Sequence, residues 1–332
     1  MNYFVRSVLL SIGIVHCCMP FDDHFFRASY WCGEPRLSRD ALSTWTAAVE
    51  WGKTPCARNL CTEKVPLMDL ICPTHHSPGI FKIKELQFNF FQNCVDGFFA
   101  RVYFPARALT FYRMYFPQES SGLLLSCCSQ LRPGDVDILL GWAYNYEETE
   151  YLDYIDTSLQ IGALVPTSTL YNPDHPFDLP TGYNKHAGIP VIFDCSLGLY
   201  EWLTAGFHVD SVFLFDKKRK ESNHCICEKL GNVFDFQIYG KADHFCGGLS
   251  LLLGYSYARQ EEGSKTKCLP LPLREGWSMH TMVFLAEYDW ADYDVPSAPR
   301  ISFFYNKIIR GKNIINTTMK GTYVGVDCSW NY

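Results

Sequence analysis

A transmembrane antiparallel up-and-down β-barrel of twelve strands, all-β, is the fold this chain predicts, and three observations predict it. Segments with two-residue alternation of apolar and polar side chains recur twelve times between Leu42 and Tyr332. The connections between them alternate long and short. The chain holds no run of about 18 or more apolar residues that could cross a bilayer as a helix, although aromatics make up 16% of its 332 residues. Hydrocarbon demands an internal partner for every backbone polar group, so only helices and closed barrels span it. Alternation in an even number of strands selects the barrel.

Residues 1–19 read as a secretory signal, because Arg6 precedes the short apolar core from Val8 to Val15. Cleavage is expected between Cys18 and Phe21, the alternative being an uncleaved anchor. Residues 20–41 lack periodicity and form an N-terminal periplasmic tail, which leaves 42–332 for the barrel.

The first strand alternates Trp45, Ala47, Val49 and Trp51 with Thr44, Thr46, Ala48 and Glu50. A long segment containing Cys56, Cys61 and Cys72 follows. The second strand sets Leu86, Phe88 and Phe90 against Gln87 and Asn89, and the third sets Phe98, Ala100, Val102 and Phe104 against Phe99, Arg101 and Tyr103. A long loop is expected from about Leu109 to Gly134. Strand four carries Ile138, Leu140, Trp142, Tyr144 and Tyr146 on one face and Asp137, Gly141, Ala143 and Asn145 on the other. Strand five opposes Ile155, Thr157, Leu159, Ile161, Ala163 and Val165 to Asp156, Ser158, Gln160 and Gly162.

Pro, Asn and Gly between Pro166 and Ala187 mark another long loop, since these residues fix or free φ at turns. Strands six and seven place Asp194, Ser196, Gly198, Thr204, Gly206, His208 and Asp210 on the polar face. The charged loop from Asp216 to Glu221 precedes strand eight, with Asp235, Gln237 and Lys241 on its polar face. Strand nine sets Leu249, Leu251, Leu253, Tyr255 and Tyr257 against Ser250, Gly254, Ser256 and Ala258. Thr281, Glu287 and Asp289 are polar-face residues of strand ten, and Arg300, Ser302 and Asn306 of strand eleven. After a loop near Gly311, the last strand alternates Thr322, Val324, Val326, Cys328, Trp330 and Tyr332 with Tyr323, Gly325, Asp327, Ser329 and Asn331.

A secreted β-sandwich would also alternate, but its strands run about 5 or 6 residues. Segments of 10 or more suit a tilted membrane strand. Aromatics also sort by strand end. Phe90, Phe98, Tyr144, Tyr146, Tyr288, Trp290, Trp330 and Tyr332 fall next to short turns or the C-terminus. Trp51, Phe213, Phe215, Tyr255, Tyr257 and Tyr305 fall toward the long loops. Two aromatic girdles at two interfaces follow from that sorting.

Net charge is −6, which disfavours non-specific nucleic-acid binding. Fifteen cysteines suit an oxidising compartment, and none forms a zinc-like pair of CxxC units. Cys225 and Cys227 beside His224 are nearest to a metal cluster, but a disulfide or solvated thiols is the expectation. Oxidation is expected among the long-loop cysteines, whereas Cys195 and Cys328 should stay free on the outer face. No cofactor or metal is expected.

The alternating strands and the aromatic-terminated last segment resemble Gram-negative outer-membrane β-barrels, porin-like proteins in particular. The stretches Thr181-Gly182-Tyr183-Asn184-Lys185-His186 and Lys241-Ala242-Asp243-His244-Phe245 are similar to those of uncharacterised barrels from intracellular bacteria. The cysteine-rich loops are closer to the major outer-membrane proteins of chlamydiae. The resemblance implies a bacterial outer-membrane location, a lipid bilayer as surroundings, and the barrel-assembly machinery as reader of the C-terminal strand.

The polar face would line the pore. Glu50, Glu85, Asp137, Asp156, Asp194, Asp210, Asp235, Glu287, Asp289 and Asp327 point inward by parity, against Arg101, Arg107, Lys241 and Arg300. Charge of one sign around a pore selects ions of the other, so a narrow channel for small hydrophilic solutes with weak cation preference is expected. Inward glycines (Gly141, Gly162, Gly198, Gly206, Gly254 and Gly325) should leave room near the axis. The alternatives are a structural envelope barrel with a plugged lumen, an outer-membrane phospholipase or a protease. Ser211 lies outward with no histidine nearby, and His208 with Asp210 sits at a different depth from Asp135 and Asp137. A satisfied lumen network is the expected fate of His208 and Asp210.

Overall fold

The computed structural model describes residues 43–60, 79–94, 96–114, 125–128, 131–147, 152–169, 182–199, 202–221, 224–242, 248–263, 276–289, 297–312 and 314–330. The expected signal, the tail, and Trp290, Asn331, Tyr332, Cys61, Cys72 and Cys268 lie outside them.

Twelve staves form the wall: β1 (Ser43–Leu60), β2 (Gly79–Asn93), β3 (Phe98–Met114), β6 (Val136–Glu147), β7 (Tyr154–Val165), β8 (Gly188–Leu199), β9 (Leu203–Leu214), β12 (Val233–Ala242), β13 (Leu249–Gln260), β14 (Trp277–Asp289), β15 (Ser297–Lys312) and β16 (Ile314–Trp330). Each pairs antiparallel with its neighbours, β3 pairs with both β2 and β6, and β16 pairs with β1. The ladder therefore returns to its start, so no stave is left with an unpaired edge facing lipid. All twelve strands expected from the alternation are present, and no helix occurs among the described residues.

Parity holds around the wall. Leu140 is 65% exposed while adjacent Leu139 is 2%, and Phe303 is 59% exposed beside Phe304 at 3%. Exposed apolar side chains on every second position form the surface a bilayer requires, at about 2–4 kcal/mol per misplaced cation at mid-depth. Phe90, Phe98, Tyr144, Tyr146 and Trp202 are exposed at the short-turn end, and Phe213, Phe215 and Tyr305 toward the other. Tyr255 and Tyr257 are half-buried beside His280 on the neighbouring strand, with the Tyr257 and His280 rings 4.7 Å apart.

Local backbone sets two features. The β2–β3 turn carries Asp96 and Gly97 at φ 57° and 82°, the paired left-handed conformation that Asp-Gly hairpins favour. Beyond the membrane, β1, β2, β3, β15 and β16 run 15 to 18 residues, longer than the alternation indicated. Cys56 is thus within β1, and the expected loop after Leu109 begins as strand. β4 (Leu125–Cys128) and β5 (Arg132–Pro133) pair with β3 there. Gly311, where a loop was expected, lies within β15. Likewise the charged loop from Asp216 holds a hairpin, β10 (Lys217–Glu221) with β11 (His224–Glu228). These extensions do not carry the apolar-out phase of the wall: in β2, Phe81 and Ile83 alternate with Lys82 and Lys84 in the opposite phase, and ladder hydrogen bonds need no particular side chains.

Three of the six inward glycines, Gly141, Gly198 and Gly206, do not leave room. Register sets Phe99 against Gly141, Tyr154 against Gly198 and Tyr239 against Gly206, and each ring lies where the glycine's Cβ would be. Aromatic side chains laid over strand glycines permit tight wall curvature, and here they thicken the wall inward.

Candidate solute pathway and its outer cap

Directly paired residues on adjacent strands share a face, so the inner wall can be read as rows. One row runs Ser158, Asp194, His208, Gln237, Ser256, Thr281. In it Asp194 accepts hydrogen bonds from Ser158 Oγ at 3.3 Å and Gln160 Nε2 at 3.4 Å, and contacts His208 Nδ1. His208 and Asp210 were expected to share the inner face in a satisfied lumen network. The direct carboxylate partner of His208 is Asp194, because cross-strand partners stand closer than residues two apart on one strand.

The adjoining row places Asp210 opposite Asp235, both buried. Asp235 accepts from Gln237 Nε2 at 2.6 Å and Ser256 Oγ at 3.0 Å, and these donors offset desolvation of its charge. Asp194, His208, Asp210 and Asp235 thus form one central constellation. The other predicted wall residues stand apart. Arg101 donates to Asn89 Oδ1 at 2.9 Å, Glu287 accepts from Ser302 Oγ at 2.8 Å, and Asp137 and Asp156 are buried on β6 and β7. Lys241 is half-buried at the short-turn end, in register with Thr204 and Leu252. By register Glu50 pairs with Glu85, which in turn pairs with Arg107, while Asp289 pairs with Arg300 and Asp327 with Thr46.

Apolar clusters flank the polar middle. Phe91, Phe99 and Ala143 pack together at the short-turn end. Leu164, Val212, Leu214, Leu230 and Val233 pack around Tyr183 at the long-loop end. Tyr183 arrives there on a type I′-like turn. Asn184 and Lys185 have φ of 50° and 61°, and His186 N–H donates to Tyr183 O at 2.9 Å. Asp135, fully buried, accepts from Ser168 N–H at 2.9 Å and Tyr183 N–H at 2.6 Å. Asn184 Nδ2 donates to buried Glu228 Oε1 at 3.2 Å, and Lys217 Nζ to Asn184 O at 3.2 Å.

His186, in this turn, meets Phe215 O through Nδ1 at 2.9 Å and Glu228 through Nε2 at 4.0 Å. Burial pulls its pKa below the ordinary 6.5, outweighing the opposing pull of the Phe215 carbonyl and Glu228. Asp135 and the stretch from Gly182 to His186 are separately visible in the sequence. Nothing local joins them across 48 residues.

Catalytic readings find little support. A lipid-face phospholipase needs a histidine beside Ser211, whose register neighbours are Val191 and Phe234. Asp135, a rim acid that a protease would use, is committed to two backbone amides. Among the described residues no group of three His, Cys, Asp or Glu side chains could hold a metal ion. Cys94, Cys195 and Cys227 are free thiols; Cys227 is exposed, which is the solvated-thiol form of the two expected for the Cys225 and Cys227 pair.

A cylinder of paired strands with an apolar outer belt and a polar inner middle defines a membrane-spanning antiparallel β-barrel. No family model matches the chain, and no curated protein matches it in sequence. An outer membrane channel from Pseudomonas putida F1 is similar in fold, with TM-score 0.60 at 13% identity over 86% of this chain and 96% of that one. The NanC porin superposes with TM-score 0.42 at 9% identity, covering 86% of this chain and all of its own. The β domain of the Bordetella autotransporter Brka gives 0.42 at 11%, covering 88% of this chain.

Proposed function

We propose that the protein is a passive channel for small hydrophilic solutes with a weak cation preference. The observation that carries this reading is the central constellation of Asp194, His208, Asp210 and Asp235 on the inner face. Ionisable groups there contribute nothing to lipid contact and cost desolvation, so a role toward solutes in the lumen accounts for them. The channel identity of the Pseudomonas protein supports passage as the role of the shared fold. The excess of inward acids over inward bases supports cations over anions. The reading needs no cofactor or catalytic residue, and barrel assembly would proceed through recognition of β16.

Reversal potential across a potassium chloride gradient tests the ion preference. A cation-signed potential is expected at low ionic strength, fading as the screening length falls to about 3 Å at 1 M. An anion-signed potential would remove the preference. Liposome swelling tests passage itself, and swelling no faster than in protein-free vesicles would sink the channel. A structural barrel with a plugged lumen is the second reading, favoured by the apolar clusters at the two ends.

A further inference from the structure

We infer that the outer wall of β15, β16, β1 and β2 carries, at its long-loop end, a docking face for acidic, phosphate-bearing lipid headgroups, built from Lys53, Lys82, Lys84, Lys307 and Lys320. The inference goes beyond the channel reading and holds whether the lumen is open or plugged. Register lays Lys320 directly opposite Lys53, and Lys53 directly opposite Lys82, so three lysines stand side by side on three adjacent strands. Tyr305 pairs with Lys320 from β15, and Trp51 pairs with Lys84 on β2. These are outer-face positions by the two-residue period, because Phe88 and Phe90 on β2 and Phe303 and Tyr305 on β15 share their parity and are exposed. Lys307, Arg310 and Lys312 are themselves exposed. The four strands hold three acids, Glu50, Glu85 and Asp327, and each falls on the inner phase.

Like charges directly opposite one another on neighbouring strands are destabilising unless counter-charge reaches them. The height of the row says which counter-charge is at hand. A tilted strand crosses the hydrocarbon in about 9–11 residues. Lys53 lies about ten residues along β1 from Ser43, Lys320 about ten along β16 from Trp330, and Lys307 about ten along β15 from Ser297. The row therefore falls where hydrocarbon gives way to headgroups, beside Trp51 and Tyr305, ring types that favour that level. Lysine suits it, since an aliphatic stem lies along apolar surface while the ammonium reaches the phosphates. Across the barrel, the outer positions of β7 and β9 toward the same end are apolar, Val165 and Phe213, so the charge is confined to one side. A second copy of the chain does not fit this face, because a two-fold contact would set lysines against lysines.

The test folds the full-length protein into phosphatidylcholine vesicles holding a minor share of a brominated lipid, either phosphatidic acid or phosphatidylcholine. Tryptophan quenching gives the relative affinity for the two, and Trp51 is a reporter on the face itself. A basic residue near an anionic surface contributes about fivefold in affinity, which sets the scale. Wild type is expected to favour phosphatidic acid by about tenfold or more at low salt, and by less as salt rises. Lys53→Gln, Lys82→Gln, Lys307→Gln and Lys320→Gln combined should bring the preference close to parity. Lys307→Gln with Lys312→Gln, at two exposed positions, carries the test if the fourfold variant does not fold, with an expected loss of about fivefold or more. Lys185→Gln with Lys218→Gln, exposed lysines at the same end but off this face, should keep the wild-type preference. Equal quenching by the two lipids in wild type, or as large a loss in the off-face variant, overturns the inference. Inorganic phosphate that abolishes the preference at constant ionic strength, or lysine-dependent self-association in phosphatidylcholine alone, overturns it too.

Discussion

Replacing Asp135 by alanine should release the Tyr183 turn from the barrel mouth. Its carboxylate accepts two backbone amides, from Ser168 and Tyr183, in a site closed to water. Hydrogen bonds to a charged group contribute about 1.5–3 kcal/mol each, and the amides left behind stay unpaired unless the turn lifts into solvent. Rehydration and regained chain freedom on release offset part of the loss on the open side. A net shift of about 3 kcal/mol remains, roughly a hundredfold in the ratio of docked to released turn. Hydrogen exchange at the Tyr183 and Ser168 amides reads that ratio, and limited proteolysis after Lys185 reads the same release. Asp135→Asn, with one acceptor oxygen, should fall between. Unchanged protection at both amides in Asp135→Ala would refute the anchoring of this turn at the long-loop end.

Gly182→Ala should act in the same direction, because its Cβ would strike the Asp135 carboxylate and lie 2.9 Å from Ser168 Cβ; proteolysis as slow as in wild type would contradict this. Lys185→Gly should protect the turn by about 1 kcal/mol, since a left-handed φ of 61° strains a residue with a Cβ; amide exchange measures the gain. Burial depresses the His186 pKa, so the docked turn favours neutral imidazole, is at full strength above 6.5, and weakens as pH falls below it. Conductance compared above and below that value should rise on acidification, and His186→Asn should flatten the response. Leu159→Arg, 50% exposed on the outer face, should cost about 2–4 kcal/mol in urea titrations of the bilayer-folded barrel, and inward Ser250→Arg less; equal costs would put the wall register in doubt.

Strand number and facing were legible because lipid forces a two-residue period on every stave, as Leu139 and Leu140 illustrate. Residues past the bilayer lost that signal, so β1 running through Cys56 and the β10–β11 hairpin read as loops. Parity identified Asp194, His208, Asp210 and Asp235 as inward but not which pairs meet. Pairing depends on cross-strand register, and register set His208 beside Asp194. Gly141, Gly198 and Gly206 were misread as open for a related reason. Only the neighbouring strand reveals that Phe99, Tyr154 and Tyr239 cover them. Asp135 and Tyr183 are joined by tertiary hydrogen bonds alone, and no spacing rule anticipates those.

The channel claim is met most directly by single-channel recording of the purified, refolded protein in a planar lipid bilayer. The account predicts steady, small unitary steps, the signature of a narrow twelve-stranded lumen, with larger steps in Asp135→Ala as the turn leaves the mouth. A bilayer that stays silent with both the wild-type and Asp135→Ala proteins, each shown folded by heat-modifiable migration, would contradict it.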